Sequence, residues 1–444
     1  MPETPTTRYA RSGGVDIAYQ VVGDAPVDFV FVPGWIWNLE LAWELSEIAR
    51  FFERLAQFVR VVIVEKRGVG LSDRVAGTPT LEERADDIRA VMDHAGIDHA
   101  AIGGWFDGAA MAATVAATNP ERVSALVIGC MAARVRRGRG ESGSLDPEIL
   151  DRISQRIGQN WGQASWLEVV APSVAQDARV HAFWCRFERL SATPNAAAAL
   201  FRWNAEIDLD AVLPVIQAPT LVLNRADLAL VPAASARALA SAVPNSRYVE
   251  LPGREIYPFF GDSEPVITAL QEFLTGTAGP APTDRALLTV AFTDIVGSTV
   301  HATELGDRRW RDLLEAHRDV VRRLLERFEG IEIDTAGDGF LATFAGPARA
   351  IRFACEARDA LREQLDLDIR AGLHTGEVER HADGIAGLAV HIGARVVALA
   401  QPSEVLTTGT VKDLVLGSGI EFDERGAHQL KGIPGSWQLF AVVT

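Results

Sequence analysis

Short runs of aliphatic and β-branched residues recur through the first part of the chain: Val27–Val32, Val59–Val64, Ala100–Gly104, Val123–Ile128, Thr220–Leu223 and Arg247–Leu251. Continuous apolar runs of this kind mark parallel strands buried on both faces, whereas half-exposed strands alternate. Between them, Ala109–Thr118 and Ala233–Ala242 carry helical patterns. The alternation predicts a doubly wound, mostly parallel sheet with helices on both faces. The rhythm breaks at about 131–211, a stretch helical in pattern that holds Trp161, Trp166, Trp184 and Trp203. It reads as an inserted cap over the C-terminal edge of the sheet, where such folds bind ligands.

Residues 275–284, TGTAGPAPTD, combine small residues, Gly and two prolines, and sustain neither helix nor paired strand. They predict a linker at 276–284 between a first domain, 1–275, and a second, 285–444. In the second, Leu287–Ile295 reads as a strand running into Gly297-Ser298-Thr299, followed by an amphipathic helical pattern from about Val300 to Phe328. Ile331–Thr335 and Phe340–Phe344 flank AGDG, a tight turn between two strands. A helix (Ala348–Gln364), a strand (Leu367–Leu373) and a further helix (Val390–Ala400) complete an α+β domain.

Composition narrows the function. A length of 444 residues suits two or three domains at roughly 150 residues each. Lys and Arg total 43 against 59 Asp and Glu, a net charge of −16, which argues against a nucleic-acid partner. Cys130, Cys185 and Cys355 are odd in number and far apart, a pattern of neither a disulfide framework nor a metal-ligand set. They suit a reducing compartment. The N-terminal MPETPTTRYARSGG has no apolar signal region, and no apolar run approaches the ~18 residues of a membrane span. The expectation is a soluble, cytoplasmic protein.

Two aspartates sit where strands end, Asp294 in AFTDIVGST and Asp338 in TAGDGFLATF. Acidic side chains are poor strand formers, so a buried strand ending on one needs a reason. Turn chemistry is one reason, since Asp favours turns. A hard divalent cation is another, because it takes carboxylate oxygens and bridges them to phosphates. The Gly297-Ser298-Thr299 turn that opens the next helix offers backbone N–H groups suited to phosphate.

AFTDIVGST, DTAGDGFLATF, RAGLHTGEV, VHIGARV and LKG, in this order, resemble a class III nucleotidyl cyclase catalytic domain over Arg285 to Thr444. The resemblance implies two Mg²⁺ or Mn²⁺ ions per site, held by Asp294, Asp338 and the Ile295 carbonyl. It implies in-line attack of a ribose 3′-hydroxyl on the α-phosphate of ATP, with pyrophosphate leaving. Arg370 and Lys431 match triphosphate-holding positions, and Arg395 the arginine that stabilises the transition state. His391 stands where the family usually has Asn, and a neutral imidazole still donates a hydrogen bond to ribose. The base-reading lysine and aspartate fall at Asp334 and Gly384, with Asp383 one place earlier. Adenine reading is thereby weakened, and an acceptor at Asp334 suits guanine N–H groups; ATP, the commoner substrate of the family, is the expected one, with GTP as the alternative. The family builds its sites across a two-fold interface, which implies a homodimer with Asp294 and Asp338 from one protomer and His391 and Arg395 from its partner.

FVFVPGW, VEKRGVGLSDR, GGWFDGAA, ATNPERVSALVIG, APTLVLNRAD and ELPGREIYPFF resemble the α/β-hydrolase fold over about Tyr9 to Leu274. Its nucleophile elbow reads G-x-S-x-G, and Gly104-Trp105-Phe106-Asp107-Gly108 places Phe106 at the nucleophile. The acid position falls at Leu228, next to Asp227, and the histidine position at Ile256. A phenyl ring attacks no carbonyl, and without His there is no general base. Asp107 is one residue off the elbow register, so its side chain is expected to point elsewhere. The resemblance thus implies a pseudo-hydrolase with one of two uses: an apolar pocket for a hydrophobic effector, or a cavity filled by its own side chains in a purely structural domain.

Overall fold

The structure, a computed structural model, describes every residue apart from 1–3, 76, 78, 135–146, 277–284, 336, 382–383 and 444. The chain forms two compact units, Met1–Thr283 and Asp284–Thr444. The expected linker at 276–284 lies outside the described residues except for Gly276, the last residue of the helix Glu264–Gly276.

The first unit is built on β1 (Arg8–Ser12), β2 (Val15–Val22), β3 (Asp28–Val32), β4 (Arg60–Val64), β5 (Ala100–Trp105), β6 (Val123–Gly129), β7 (Thr220–Arg225) and β8 (Ser246–Leu251). They lie in the order β1-β2-β4-β3-β5-β6-β7-β8. From β4 to β8 every pairing is parallel. β5 is buried along its whole length, which is why its sequence runs apolar without alternation. The β1–β2 hairpin at the antiparallel edge breaks the sequence expectation. Its strands mix Arg, Asp and Gln with apolar residues, and the Gly13-Gly14 turn is its clearest local signal.

Helices Leu81–His94, Asp107–Thr118 and Glu264–Gly276 are among those that cover the sheet. The first starts at a capping box in which Thr80 and Glu83 satisfy each other's backbone N–H. Between β6 and β7 the described residues form the α-helices Pro147–Asn160, Leu167–Val170, Ala178–Ser191 and Pro194–Glu206. Their aromatic side chains meet those of the loop after β3. Trp35 packs edge-on to Trp161 and Trp166 at 5.5 and 6.2 Å between centroids. Trp203 instead carries the Arg84 guanidinium over its ring at 4.0 Å.

The second unit holds β9 (Arg285–Ile295), β10 (Ile331–Asp334), β11 (Phe340–Phe344), β12 (Ile369–His381), β13 (Gly384–Ala386), β14 (Val405–Thr408), β15 (Glu421–His428) and β16 (Trp437–Val443). The sheet runs β10-β11-β9-β12-β14-β16-β15, with β13 on β12. Only the β12–β14 pairing is parallel among these. Helices Ser298–Arg327 and Pro347–Leu365 share one core with the sheet, while Leu388–Leu399 joins separate apolar clusters through Ile392, Val396 and Ala389. β12 runs to His381, well past the expected end at Leu373. Its polar continuation pairs with β9 as far as Glu379 and with β13 to its end, and Arg285 of β9 bonds Glu377 and Glu379 across the first ladder, at 2.9 and 2.5 Å. The first helix starts at Ser298 and is interrupted by non-helical backbone at Gly306. No helix among the described residues is long and apolar enough to cross a membrane.

Candidate active sites

In the second unit the sheet's centre carries the acidic pair. Asp294 is the penultimate residue of β9, flanked by β11 and β12. Directly opposite on β12 stands Arg370, whose Nη2 and Nε donate to Asp294 Oδ2 at 2.6 and 2.9 Å. Asp338 sits in the turn between β10 and β11, two residues before Phe340, which pairs with Thr293. That register carries Asp338 to the same end of the sheet as Asp294 and Ile295. The turn is tied down by Arg318, which donates to the Gly337 carbonyl at 3.0 Å. Beneath it His317 is buried edge-on to Phe340, and burial pulls its pKa down to about 4, so the ring is neutral. Neither residue bears a sequence signal: both lie in an ordinary helical pattern. Gly297 takes the left-handed conformation before the helix, leaving Ser298 and Thr299 as its first residues.

The remaining cyclase-motif residues form a second group. His391 and Arg395 lie one turn apart on Leu388–Leu399, both exposed. Arg395 Nε donates to the Lys431 carbonyl at 3.2 Å, so this arginine and the LKG loop come together. Asp334 ends β10 exposed, and the α-carbon of Gly384 lies beside its neighbour Ile333, whose Cγ2 stands 3.7 Å from where a Cβ would be. The two base-reading positions are therefore adjacent. Gly384 has φ of 143°, which disfavours the aspartate that would read an adenine amino group there. Asp383 lies outside the described residues.

In the first unit β5 runs into helix Asp107–Thr118 through Phe106, whose φ of 53° and ψ of −126° are costly for a bulky residue, by about 1–3 kcal/mol. Packing imposes the turn. A Cβ on Gly104 would fall 2.3 Å from the Gly108 carbonyl carbon, and one on Gly108 would fall 2.2 Å from the Val32 carbonyl oxygen. Strand and helix thus touch with no side chain between them. Leu228, after β7, and Ile256, after β8, are both buried. Phe106 and Ile256 share a small cavity of about 30 Å³ with Trp35, Trp166, Phe201 and Tyr257. Leu228 is not in its lining.

Asp107 points away from that cavity's nucleophile position, into the base of the turn. Its Oδ1 accepts the Trp35 backbone N–H at 2.5 Å and its Oδ2 accepts from Lys66 Nζ. Both charged side chains are 1% exposed. Burial pulls the Lys66 pKa down to about 8, against the opposing pull of Asp107. Lys66 is a partner that the motif VEKRGVGLSDR did not single out.

Residues 29–261, just over half of the chain, match the family model for the alpha/beta hydrolase fold. Residues 283–444 match the adenylate and guanylate cyclase catalytic domain. The chain belongs to the alpha/beta hydrolase fold family and carries a nucleotidyl cyclase domain. The bifunctional esterase/perhydrolase of Acinetobacter calcoaceticus is 26% identical over 253 residues, 54% of this chain and 89% of that protein. A Rhizobium meliloti protein bearing the name adenylate cyclase 3 is 27% identical over 158 residues, 34% of this chain. The chain spans 27% of that relative's length. The solved esterase of Exiguobacterium antarcticum is 17% identical with a TM-score of 0.54, covering 61% of this chain and 100% of its own, a likeness of fold alone.

The cyclase domain's metal-binding chemistry is testable on its donors. Asp294 and Asp338 bring carboxylate oxygens to one sheet end beside the Ile295 carbonyl, the hard oxygen set that Mg²⁺ and Mn²⁺ take. Among the described residues no group of three or more His, Cys, Asp or Glu gathers. These residues fit the ions. In the hydrolase-fold domain the loop after the third strand ordinarily offers one backbone N–H to an oxyanion. Here the N–H of Trp35 in that loop is occupied by the Asp107 carboxylate.

Proposed function

We propose that the chain is an adenylate cyclase that converts ATP to 3′,5′-cyclic AMP and pyrophosphate at a site completed by a second copy of the chain. The observation that supports it is the register that carries Asp294 and Asp338 to one sheet end, with Arg395 meeting the Lys431 carbonyl of the LKG loop. A complementary copy brings the second group to the first. Mg²⁺ or Mn²⁺ bound by Asp294, Asp338 and the Ile295 carbonyl supplies a more acidic 3′-hydroxyl and neutralises charge on the phosphates. Arg370 leaves Asp294 and turns to the triphosphate, joined by Lys431 and the Gly297-Ser298-Thr299 turn. Arg395 meets the charge that develops on the transferring phosphate, and His391 holds the ribose. Asp334 accepts from a guanine as readily as it tolerates adenine, so GTP is a second substrate.

The hydrolase-fold domain performs no acyl transfer in this reading. Phe106 and Ile256 supply neither nucleophile nor base, and Asp107 holds the Trp35 N–H. The test is cyclic-nucleotide formation by the full-length protein with Mn²⁺ or Mg²⁺ and either ATP or GTP, beside Asp338→Ala. Product that disappears in the variant is the expected result. A folded dimer with no product under any condition sinks the reading.

A further inference from the structure

We propose that Arg318, with Arg322 one turn further along the same helix, is a positioning residue that sets where Asp338 presents its carboxylate to a divalent cation; this rests on the cyclase reading above. The turn that carries Asp338 is held unequally on its two sides. After it, β11 pairs with β9 residue for residue from Phe340 to Phe344. Before it, β10 is four residues long, lies at the end of the sheet and slips register between Glu332 and Asp334. A ladder disrupted in this way fixes a turn poorly. Gly337, next to Asp338, is left-handed at φ of 67°, and it has no side chain of its own to steady it.

The helix Ser298–Arg327 supplies what the edge strand lacks. Its Val320, Val321, Leu324 and Leu325 lie in the core that also holds Phe340 and Phe344, so it is a fixed reference for the turn. From it, Arg318 Nη2 donates to the Gly337 carbonyl at 3.0 Å. Peptide planes are rigid and trans, so drawing that carbonyl to the helix sets the opposite direction for the Asp338 N–H, and with it the way the side chain leaves the backbone. Arg322 grips the limb before the turn. Its Nε and Nη2 donate to the two oxygens of Glu332 at 2.8 and 2.9 Å, and Glu332 in turn accepts from the Thr335 hydroxyl at 2.6 Å. His317, beside Arg318, packs edge-on to Phe340 on the limb after it, at 5.5 Å between centroids. The helix thus holds both limbs of the turn and its middle. A guanidinium has no acceptor for a cation, so both arginines act through Asp338.

The experiment measures Mn²⁺ bound by the full-length protein in equilibrium dialysis, with 3′-deoxy-ATP, which lacks the attacking hydroxyl, on both sides of the membrane. Cyclic AMP formation from ATP is followed in parallel as Mn²⁺ is raised. Groups that orient a metal ligand typically carry about 10–100-fold in metal affinity, so Arg318→Met is expected to raise the Mn²⁺ dissociation constant about tenfold or more, with turnover at saturating Mn²⁺ within about threefold of the unaltered protein. Arg318→Lys, which keeps a donor, recovers most of the affinity. A merely structural role would lower turnover or stability and leave the dissociation constant alone. Arg322→Met, at an exposed position, repeats the test should Arg318→Met not fold. Affinity unchanged in a folded variant, or equal losses in Arg318→Lys and Arg318→Met, overturns this proposal, while the cyclase reading stands so long as Asp338→Ala abolishes Mn²⁺ binding. An unaltered protein that binds no Mn²⁺ overturns both.

Discussion

At the end of β5 and at the end of β9 the chain makes the same kind of junction, in which a buried strand passes a left-handed residue and enters a helix. In the first unit that residue is Phe106, and the carboxylate beside it, Asp107, is sealed under the turn with Lys66 at 1% exposure. In the second it is Gly297, exposed, and the carboxylate at the strand end, Asp294, is a third exposed and paired with Arg370. The two ion pairs look alike on paper and differ in what they permit. Removing one partner of a buried pair costs about 3–5 kcal/mol, because the other charge is stranded. An ion pair open to water is worth about 0–1 kcal/mol, so its members can change partners. Asp107 is therefore fixed in the scaffold, whereas Asp294 can exchange a guanidinium for a cation. Both units place a carboxylate beside a strand-to-helix turn, and its exposure differs between them.

The sharpest way to break this comparison is Asp294→Asn. Cyclic-nucleotide formation falls by about a thousandfold or more, the several kcal/mol of charge stabilisation that bound cations supply. The unfolding midpoint hardly moves; a large loss of stability would show that Asp294 is structural after all. Lys66→Met reverses the pattern, destabilising the first unit by about 3–5 kcal/mol in urea unfolding. Asp107→Leu added to it recovers most of that loss, and a double variant no better than the single one contradicts the account.

A smaller effect is read from pH. Glu188 of the helix Ala178–Ser191 accepts the Gly162 and Ala164 N–H groups at 2.7 and 3.2 Å, yet burial lifts its pKa from 4.5 to about 7. The folded state then holds a proton that the unfolded chain has lost. Its stabilisation is complete below about pH 4.5 and declines as pH rises through about 7. Glu188→Gln should flatten that decline in urea midpoints taken across the same window. Smallest of all is Phe106→Ser, which returns a hydroxyl to the elbow. With Ile256 at the base position and Trp35 N–H taken, turnover of a chromogenic ester stays at background; a rate above it would show that the nucleophile alone was missing.

Much of this was readable along the chain. Five buried strands of the first unit, β3 to β7, announced themselves as mainly apolar runs, and Asp294 and Asp338 stood out because strands seldom end on acids. The β1–β2 hairpin and the far half of β12 were not, since their residues are polar enough to read as loop and are held by pairing. The ladders with β9 as far as Glu379, and with β13 to Gly384, keep β12 a strand to His381.

Residue type and local period are properties of a few neighbouring positions, so the sequence by itself determined the two domain types, the elbow with Phe106 in it and the acidic pair. Partners and volumes depend on positions that are distant along the chain. Lys66 lies 41 residues from Asp107, and Arg370 lies 76 from Asp294. Only the tertiary structure decided that the first carboxylate is buried and the second half open. It alone decided that Phe106 and Ile256, distant along the chain, line one small cavity while Leu228 does not, because how closely apolar side chains pack depends on the backbone around them.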